Sequence, residues 1–232
     1  LAGKFTTGGM RTTVESGMLK KNEALVPVFA QTTTYISMND EDLFEPIDTE
    51  LTHLRCPRCA DAATIAGLMT PGVSRWLAAW PLPTTEQVAV AKILQAREEI
   101  AAGQALHFLV ERQVDQAVMG WIRVSRAETD AKIGDLGYWL NEAYHHYGYT
   151  TEATITAVTA AFEHLNLDSI EGGAQVENVA SFAVMQRIGM EPQGERIVWA
   201  SARNRQELCI FYSVTRDQFV QLQIDQLSGK KL

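Results

Sequence analysis

The chain has 232 residues, 46% hydrophobic and 21% charged, with a formal charge of −8. That length and texture suit one well-buried globular domain with room for an appendage. No apolar run is long enough to cross a bilayer as a helix, and the acidic balance argues against a nucleic-acid binder, whose affinity rests on basic patches. A cationic amine is the more natural partner, although acidity also serves solubility alone. Leu1–Gly9 has no charged-then-apolar leader pattern, so the expected compartment is cytoplasmic.

Residues 1–46 differ in texture from the rest: Thr32-Thr33-Thr34 and the acidic cluster Asn39-Asp40-Glu41-Asp42 mark them. The alternation over Ala24–Ile36 predicts one extra strand, Met10 is a candidate native start, and Leu1–Gly9 reads as a leader or remnant. The segment 1–46 is therefore an N-terminal appendage to a domain over 47–216, with 217–232 as a C-terminal tail. From Ile47 the elements alternate. A strand at Leu51–Arg55 leads to a short helix at Ala60–Leu68, and Trp76–Pro83 forms an aromatic, proline-bounded connection. Thr84 with Gln87 predicts a capping box for a helix over Thr85–Ala102 that closes before Gly103. Strands follow at Leu106–Val110, Val118–Val124 and Gly134–Leu140. A helix over Thr151–Leu165, a strand over Ser169–Val176 and a helix over Val179–Ile188 capped by a left-handed Gly189 come next. Strands at Glu195–Ala200 and Glu207–Val214 complete the domain, and Arg216–Leu232 reads as a short helix with a loose tail. The order predicts an α/β fold of helices around a mixed sheet.

The most informative stretch is Tyr144-His145-His146-Tyr147-Gly148-Tyr149-Thr150-Thr151-Glu152-Ala153, where a strand gives way to a turn and a long helix. Free N–H groups at a helix start, joined by those of a tight glycine-bearing turn, favour a phosphate there. The lysine that an ATPase needs after its glycines is missing, and the three spaced glycines of a dinucleotide fingerprint are not present. What remains is a phosphate site built on the single Gly148.

Cys56-Pro57-Arg58-Cys59, with His53 three residues before it, has the spacing of half a zinc site. Only Cys209 remains as a further thiol, inside a strand-like run, so the preferred reading is structural and the zinc-organised interaction protein is a third-ranked alternative.

Gly137-Tyr138-Trp139-Leu140, then Tyr144 with Gly148-Tyr149 and Thr151-Glu152-Ala153, then Glu177-Asn178 with Ser181, and finally Ile188-Gly189-Met190 stand in one order. Together these runs resemble the GNAT superfamily of acyl-CoA-dependent N-acetyltransferases. The RimJ/RimL-type branch, which acetylates protein N-terminal amines and includes small-amine relatives, is the nearest pattern. Leu167, Ile170-Glu171 and, more weakly, Thr49-Glu50 to Asp61-Ala62 carry the resemblance over roughly residues 47–216.

The resemblance implies a mostly antiparallel mixed sheet with a splayed central strand pair. It implies acetyl-CoA as co-substrate, no metal, and direct attack by a primary amine within a ternary complex. The acceptor is then a protein N-terminus or a small molecule. Neither nucleic acid nor membrane is a partner, and a homodimer is left open. The backbone of Trp139, Leu140 and Asn141 would hold the pantetheine and thioester, and His145, His146, Tyr147, Gly148, Tyr149, Thr150 and Thr151 the pyrophosphate. The family's loop begins with Gln or Arg and ends in Gly or Ala, where this chain has His145 and Thr150. A retained but weakened CoA site is the expectation, and a catalytically silent acyl-CoA-binding module the alternative.

Asp135 occupies a strand position where the family often has Glu, and it could draw the proton from the amine or simply attract a cationic substrate. Asn178 and Ser181, one helical turn apart, are implied to contact the cofactor arm and to protonate the leaving thiolate; helix capping by Asn178 fits equally well. Glu171 precedes the pair Gly172-Gly173, which marks either a substrate surface or a β-bulge, the bulge being preferred. Trp80, with Trp76 and Trp139, lines an acceptor pocket or belongs to the core. His145 and His146 lie in the phosphate turn, too far along the cofactor to act as the base.

Overall fold

Residues 40–228 are described by the computed structural model; the strand expected over Ala24–Ile36, the leader and Met10 lie outside the described residues. Among the described residues the chain forms eight strands. They are β1 (Ile47–Asp48), β2 (Thr52–Arg55), β3 (Ala105–Arg112), β4 (Val118–Arg126), β5 (Ile133–Leu140), β6 (Ser169–Gln175), β7 (Glu191–Ala200) and β8 (Arg205–Thr215). Of these, β4 and β8 are rich in β-branched and aromatic residues. The helices are α1 (Ala62–Leu68), α2 (Pro71–Ser74), α3 (Glu86–Ala101), α4 (Tyr149–His164), α5 (Val179–Arg187) and α6 (Arg216–Leu227).

One sheet holds all eight strands in the order β1-β2-β3-β4-β5-β6-β8-β7. Every neighbouring pair is antiparallel except β5 and β6, which run parallel. Their register covers only Ile133↔Ser169 to Asp135↔Glu171. By contrast β5 stays paired to β4 as far as Leu140, and β6 to β8 as far as Gln175. The two strands therefore part in mid-sheet, which is the splayed pair that the resemblance implied.

Because side chains alternate across a strand, the sheet buries two separate cores. Phe108, Val110, Ile122, Val124, Leu136 and Ile170 pack against α4, α5 and α6 on one face. Leu109, Trp121 and Trp139 pack against α1 and α3 on the other, through Ile65, Ala89, Ile93 and Ala96.

Several expectations shift. The N-cap of α3 is Thr85, whose side chain accepts from the Val88 N–H, while Thr84 turns its hydroxyl to the Pro81 carbonyl; the expected Thr84–Gln87 box is one residue out of place. Gly172-Gly173 is not a bulge, since β6 and β8 keep an unbroken register from Ser169↔Thr215 to Gln175↔Cys209. The glycines serve close approach: a Cβ on Gly173 would lie 2.7 Å from the Phe211 ring, and one on Gly172 would lie 3.2 Å from the Leu136 carbonyl oxygen. Asp40 to Pro46, placed with the appendage by sequence, joins the domain. Phe44 is buried with its ring 5.1 Å from that of Phe108, Asp42 pairs with Arg58, and the fully buried Arg97 donates to the Glu41 carbonyl. The C-terminal stretch is likewise anchored, for Phe219 of α6 packs on Phe162 and Leu222 sits against Gly189, whose φ of 84° makes it the expected left-handed cap.

The turn after β2 explains the cysteines. Arg55 donates to both Asp61 oxygens, at 2.8 and 2.7 Å, and to Glu111 at 2.8 Å, with all three side chains buried. His53 instead turns to Asp48, Cys56 enters the core, and among the described residues no group of three or more His, Cys, Asp or Glu is placed to hold a metal. Replacing Arg55 with Met should cost about 3–5 kcal/mol, because it strands two carboxylates in the interior. Urea denaturation checks this; a loss below about 1 kcal/mol would show the network to be dispensable.

Candidate functional site

The parting of β5 and β6 leaves backbone groups without a strand to pair with. Asn141 N–H donates to the Met119 carbonyl at 2.9 Å. Alternation along an antiparallel ladder then turns the groups of Gly137, Trp139 and Asn141 toward β4, and those of Tyr138 and Leu140 toward the gap. The Leu140 carbonyl is taken by His145 Nε2 at 2.9 Å. Among the described residues the Tyr138 N–H and C=O and the Leu140 N–H have no strand to pair with, and Trp139 and Asn141, expected from the sequence to hold a cofactor arm, turn theirs to β4 instead.

Two helices start at the open end of this gap. α4 has Gly148 as N-cap, in the left-handed region at φ 88°, and His146 is left-handed as well at φ 70°. Alternating conformations of that kind make a concave turn of N–H groups, and the first N–H groups of α4 have no intrahelical acceptor. A non-glycine residue held left-handed is uncommon and marks a constrained position. Glu152 in the first turn of α4 ties the helix to β2 by accepting from the Leu51 N–H at 3.0 Å and the Thr52 hydroxyl at 3.1 Å, and from the Thr49 hydroxyl. α5 is capped by Asn178, whose Oδ1 accepts from the Ser181 N–H at 3.2 Å. The Tyr138 hydroxyl donates to the Ser181 carbonyl at 3.0 Å and so pins α5 against β5; burial pushes that phenol well above its usual range.

A cavity of about 910 Å³ runs from these helix starts through the gap to the other face of the sheet. Its walls include Trp80, Asp135, Trp139, Leu140, His145, His146, Gly148, Thr150, Thr151, Asn178 and Ser181. Asn141, Tyr147, Tyr149 and Glu171 do not line it. Asn141 caps a short turn and donates to the Leu68 carbonyl, Tyr147 is exposed and packs on Tyr149, and Glu171 binds Arg196 through both oxygens.

Beside Asp135, Trp80 and Trp139, the far compartment holds groups that no local motif in the sequence announces. Asp135 pairs with Arg123, yet burial raises its pKa, with Arg123 opposing and Glu171 assisting. Trp121 Nε1–H donates to His107 Nδ1 at 3.1 Å, and His107 Nε2–H donates to Glu99 at 2.7 Å. That order fixes His107 as the neutral Nε2–H tautomer, and burial lowers its pKa. Trp80 stands edge-on to Trp121 and Trp139, at 5.8 and 5.5 Å between rings, and the buried Trp139 Nε1 has no acceptor among the described residues. The compartment is roofed by residues 75–80. Arg203 donates to the Ser74 and Leu77 carbonyls at 3.0 and 2.8 Å, Ala202 N–H to Ala78, and Gln175 to Arg75. Arg203, with Arg205 and Gln175 behind it, holds Glu207 down to about 2.

The sequence profile described as an acetyltransferase (GNAT) domain matches residues 52–191. The chain is 27% identical over 104 residues to "Probable N-acetyltransferase YjcK" of Bacillus subtilis (strain 168), an alignment covering 44% of this chain. It spans 58% or less of the length of the curated relatives it matches. RimJ of Mycobacterium smegmatis, solved with CoA-disulfide, superimposes with a TM-score of 0.67 at 19% identity, covering 80% of this chain and 94% of that one. The ribosomal-protein-S5-alanine acetyltransferase of Vibrio fischeri gives 0.63 at 21% identity, covering 75% and 98%. At such identities the likeness establishes the fold.

The His107 network has a pH signature. Its folded pKa lies below the ordinary imidazole value, so the folded state binds that proton less tightly than the unfolded chain does. Stability associated with His107 should therefore be intact above pH ~6.5 and lost as pH falls below it. Denaturation midpoints of wild type and His107→Gln between pH 7.5 and pH 5 should converge toward the acid end; parallel curves would contradict the assignment.

Proposed function

The chain belongs to the GNAT acetyltransferase family, and we propose that it moves an acetyl group from acetyl-CoA to a primary amine by direct attack within a ternary complex. The observation that carries this reading is the early end of the β5–β6 register. It presents the Tyr138 and Leu140 groups to an amide-bearing arm, as an extra strand would meet them. The cavity fits acetyl-CoA at its other end too, where the left-handed His146 and Gly148 and the start of α4 form a phosphate cradle.

The residues then divide the work. Asn178 uses Oδ1 on its own helix, leaving its amide N–H groups for the arm. Ser181 lines the cavity, its hydroxyl makes no hydrogen bond among the described residues, and in this reading it gives a proton to the departing thiolate. Asp135 receives the proton of the amine, its raised pKa bringing it closer to a working pH than an ordinary carboxylate. The names of the ribosomal-protein relatives support a protein N-terminus as acceptor, and the roofed compartment supports an amine at the end of an extended group. The cytoplasm is the setting we propose. His145, bound to Leu140 instead of facing a phosphate, favours a second reading as a silent acyl-CoA-binding module, which turnover with any amine would overturn.

Two outcomes test the proposal. Gly148→Val places a β-branched residue at a φ of 88°, and calorimetry should show most of the CoA affinity lost; unchanged binding would remove the phosphate cradle from the reading. Asp135→Asn keeps the shape but removes the basic oxygen, so turnover should fall by roughly 10²–10⁴. The wild-type rate should decline as pH drops through the raised Asp135 pKa, because the ionised form is the base. An acidic limb that persists in Asp135→Asn with normal turnover would assign the proton to another group.

A further inference from the structure

We propose that the acceptor amine carries a carboxylate beside it, and that Lys92 binds this carboxylate. The proposal rests on the acetyl-transfer reading above and concerns the compartment between α3 and strands β3 to β5. Lys92, Gln95, Ala96 and Glu99 recur at helical spacing along the cavity side of α3. Facing them from the sheet are His107, Trp121, Arg123 and Asp135.

Most of the charges there are already committed. Glu99 accepts from His107 on one oxygen and from Gln95, at 2.8 Å, on the other. Asp135 is held by Arg123. His107 is neutral. Lys92 is the exception: it makes no hydrogen bond and no ion pair among the described residues, although it is half-buried and lines the cavity. Burial and the like charge of Arg123 both press against its ammonium, and Glu99 offsets them only in part. A half-buried cation without a partner is unfavourable until an anion arrives.

Both signs line the compartment: a carboxylate, Asp135, where the β5–β6 register ends, and on α3 a cation with no ion pair among the described residues. A zwitterion fits that arrangement, with its ammonium toward Asp135 and its carboxylate toward Lys92, against the Trp80 and Trp121 rings. A polyamine would bring a second ammonium against Lys92 and Arg123 and is disfavoured. The chain's overall acidity makes a cationic amine the more natural partner; the local arrangement adds a carboxylate beside that amine. A carboxylate beside an amine occurs in a free amino acid and in a peptide N-terminus followed by an acidic residue, and the experiment separates these sources.

Initial rates at saturating acetyl-CoA are measured for wild type, Lys92→Met and Lys92→Arg with two matched pairs, alanine against alaninamide and Ala-Glu-Ala-amide against Ala-Gln-Ala-amide. In the pair that represents the true source, the carboxylate form should have a kcat/KM higher by roughly tenfold or more. Lys92→Met should abolish that preference through KM with little change in kcat for the neutral amine, and Lys92→Arg should restore most of it. Equal rates within both pairs, or a preference that survives Lys92→Met, would overturn the proposal while leaving acetyl transfer intact. Failure of all four amines to be acetylated by protein that binds acetyl-CoA would overturn this proposal, whereas only the absence of product across a broad panel of amines and peptides would defeat the acetyl-transfer reading itself.

Discussion

The parting of β5 from β6 is the constraint on which the rest of the site depends. A parallel pair that stops after Asp135↔Glu171 leaves main-chain donors and acceptors in mid-sheet, where unpaired polar groups are costly unless a ligand or water meets them. The surrounding structure holds the gap open. The Tyr138 hydroxyl bonded to Ser181 fixes α5 on one side, and the full β6–β8 register fixes the other. Gly172 lets β6 approach the Leu136 carbonyl at the point where the strands begin to separate.

Arginines do much of the long-range fastening. Arg55 joins the turn after β2 to β3, Arg97 holds the chain entering from Glu41, and Arg203 ties the segment over the cavity to the β7–β8 hairpin. Each uses several donors of one planar group on carbonyls or carboxylates, a geometry that lysine cannot reproduce. These contacts link residues distant in sequence, so the cavity is a product of tertiary assembly as much as of the motif-bearing strands.

That distinction explains what could be read in advance. The run from β3 to α5 was legible because period-two and period-3.6 patterns, a glycine cap and turn residues all act locally. The family resemblance added the splay, which no periodicity could show. The cap at Thr85 was missed by one residue because two threonines compete there, and only the backbone path decides between them. Gly172-Gly173 suggested a bulge, whereas the cause is a ring contributed by β8, nearly 40 residues later in the chain. The left-handed His146 has no sequence signature comparable to Gly148. Glu99, His107, Trp121 and Lys92 escaped notice because they lie on three different elements and form no motif; their chemistry exists only after the fold brings α3 over the sheet.

In the proposed reading the unpaired backbone of β5 receives the arm of acetyl-CoA. Amide hydrogen exchange, followed by NMR with and without CoA, tests this residue by residue. Exchange at Tyr138 and Leu140 should slow when CoA is added, while Gly137 and Trp139, whose N–H groups already bond β4, should change little. CoA binding that leaves Tyr138 and Leu140 exchanging at their free rates would contradict it.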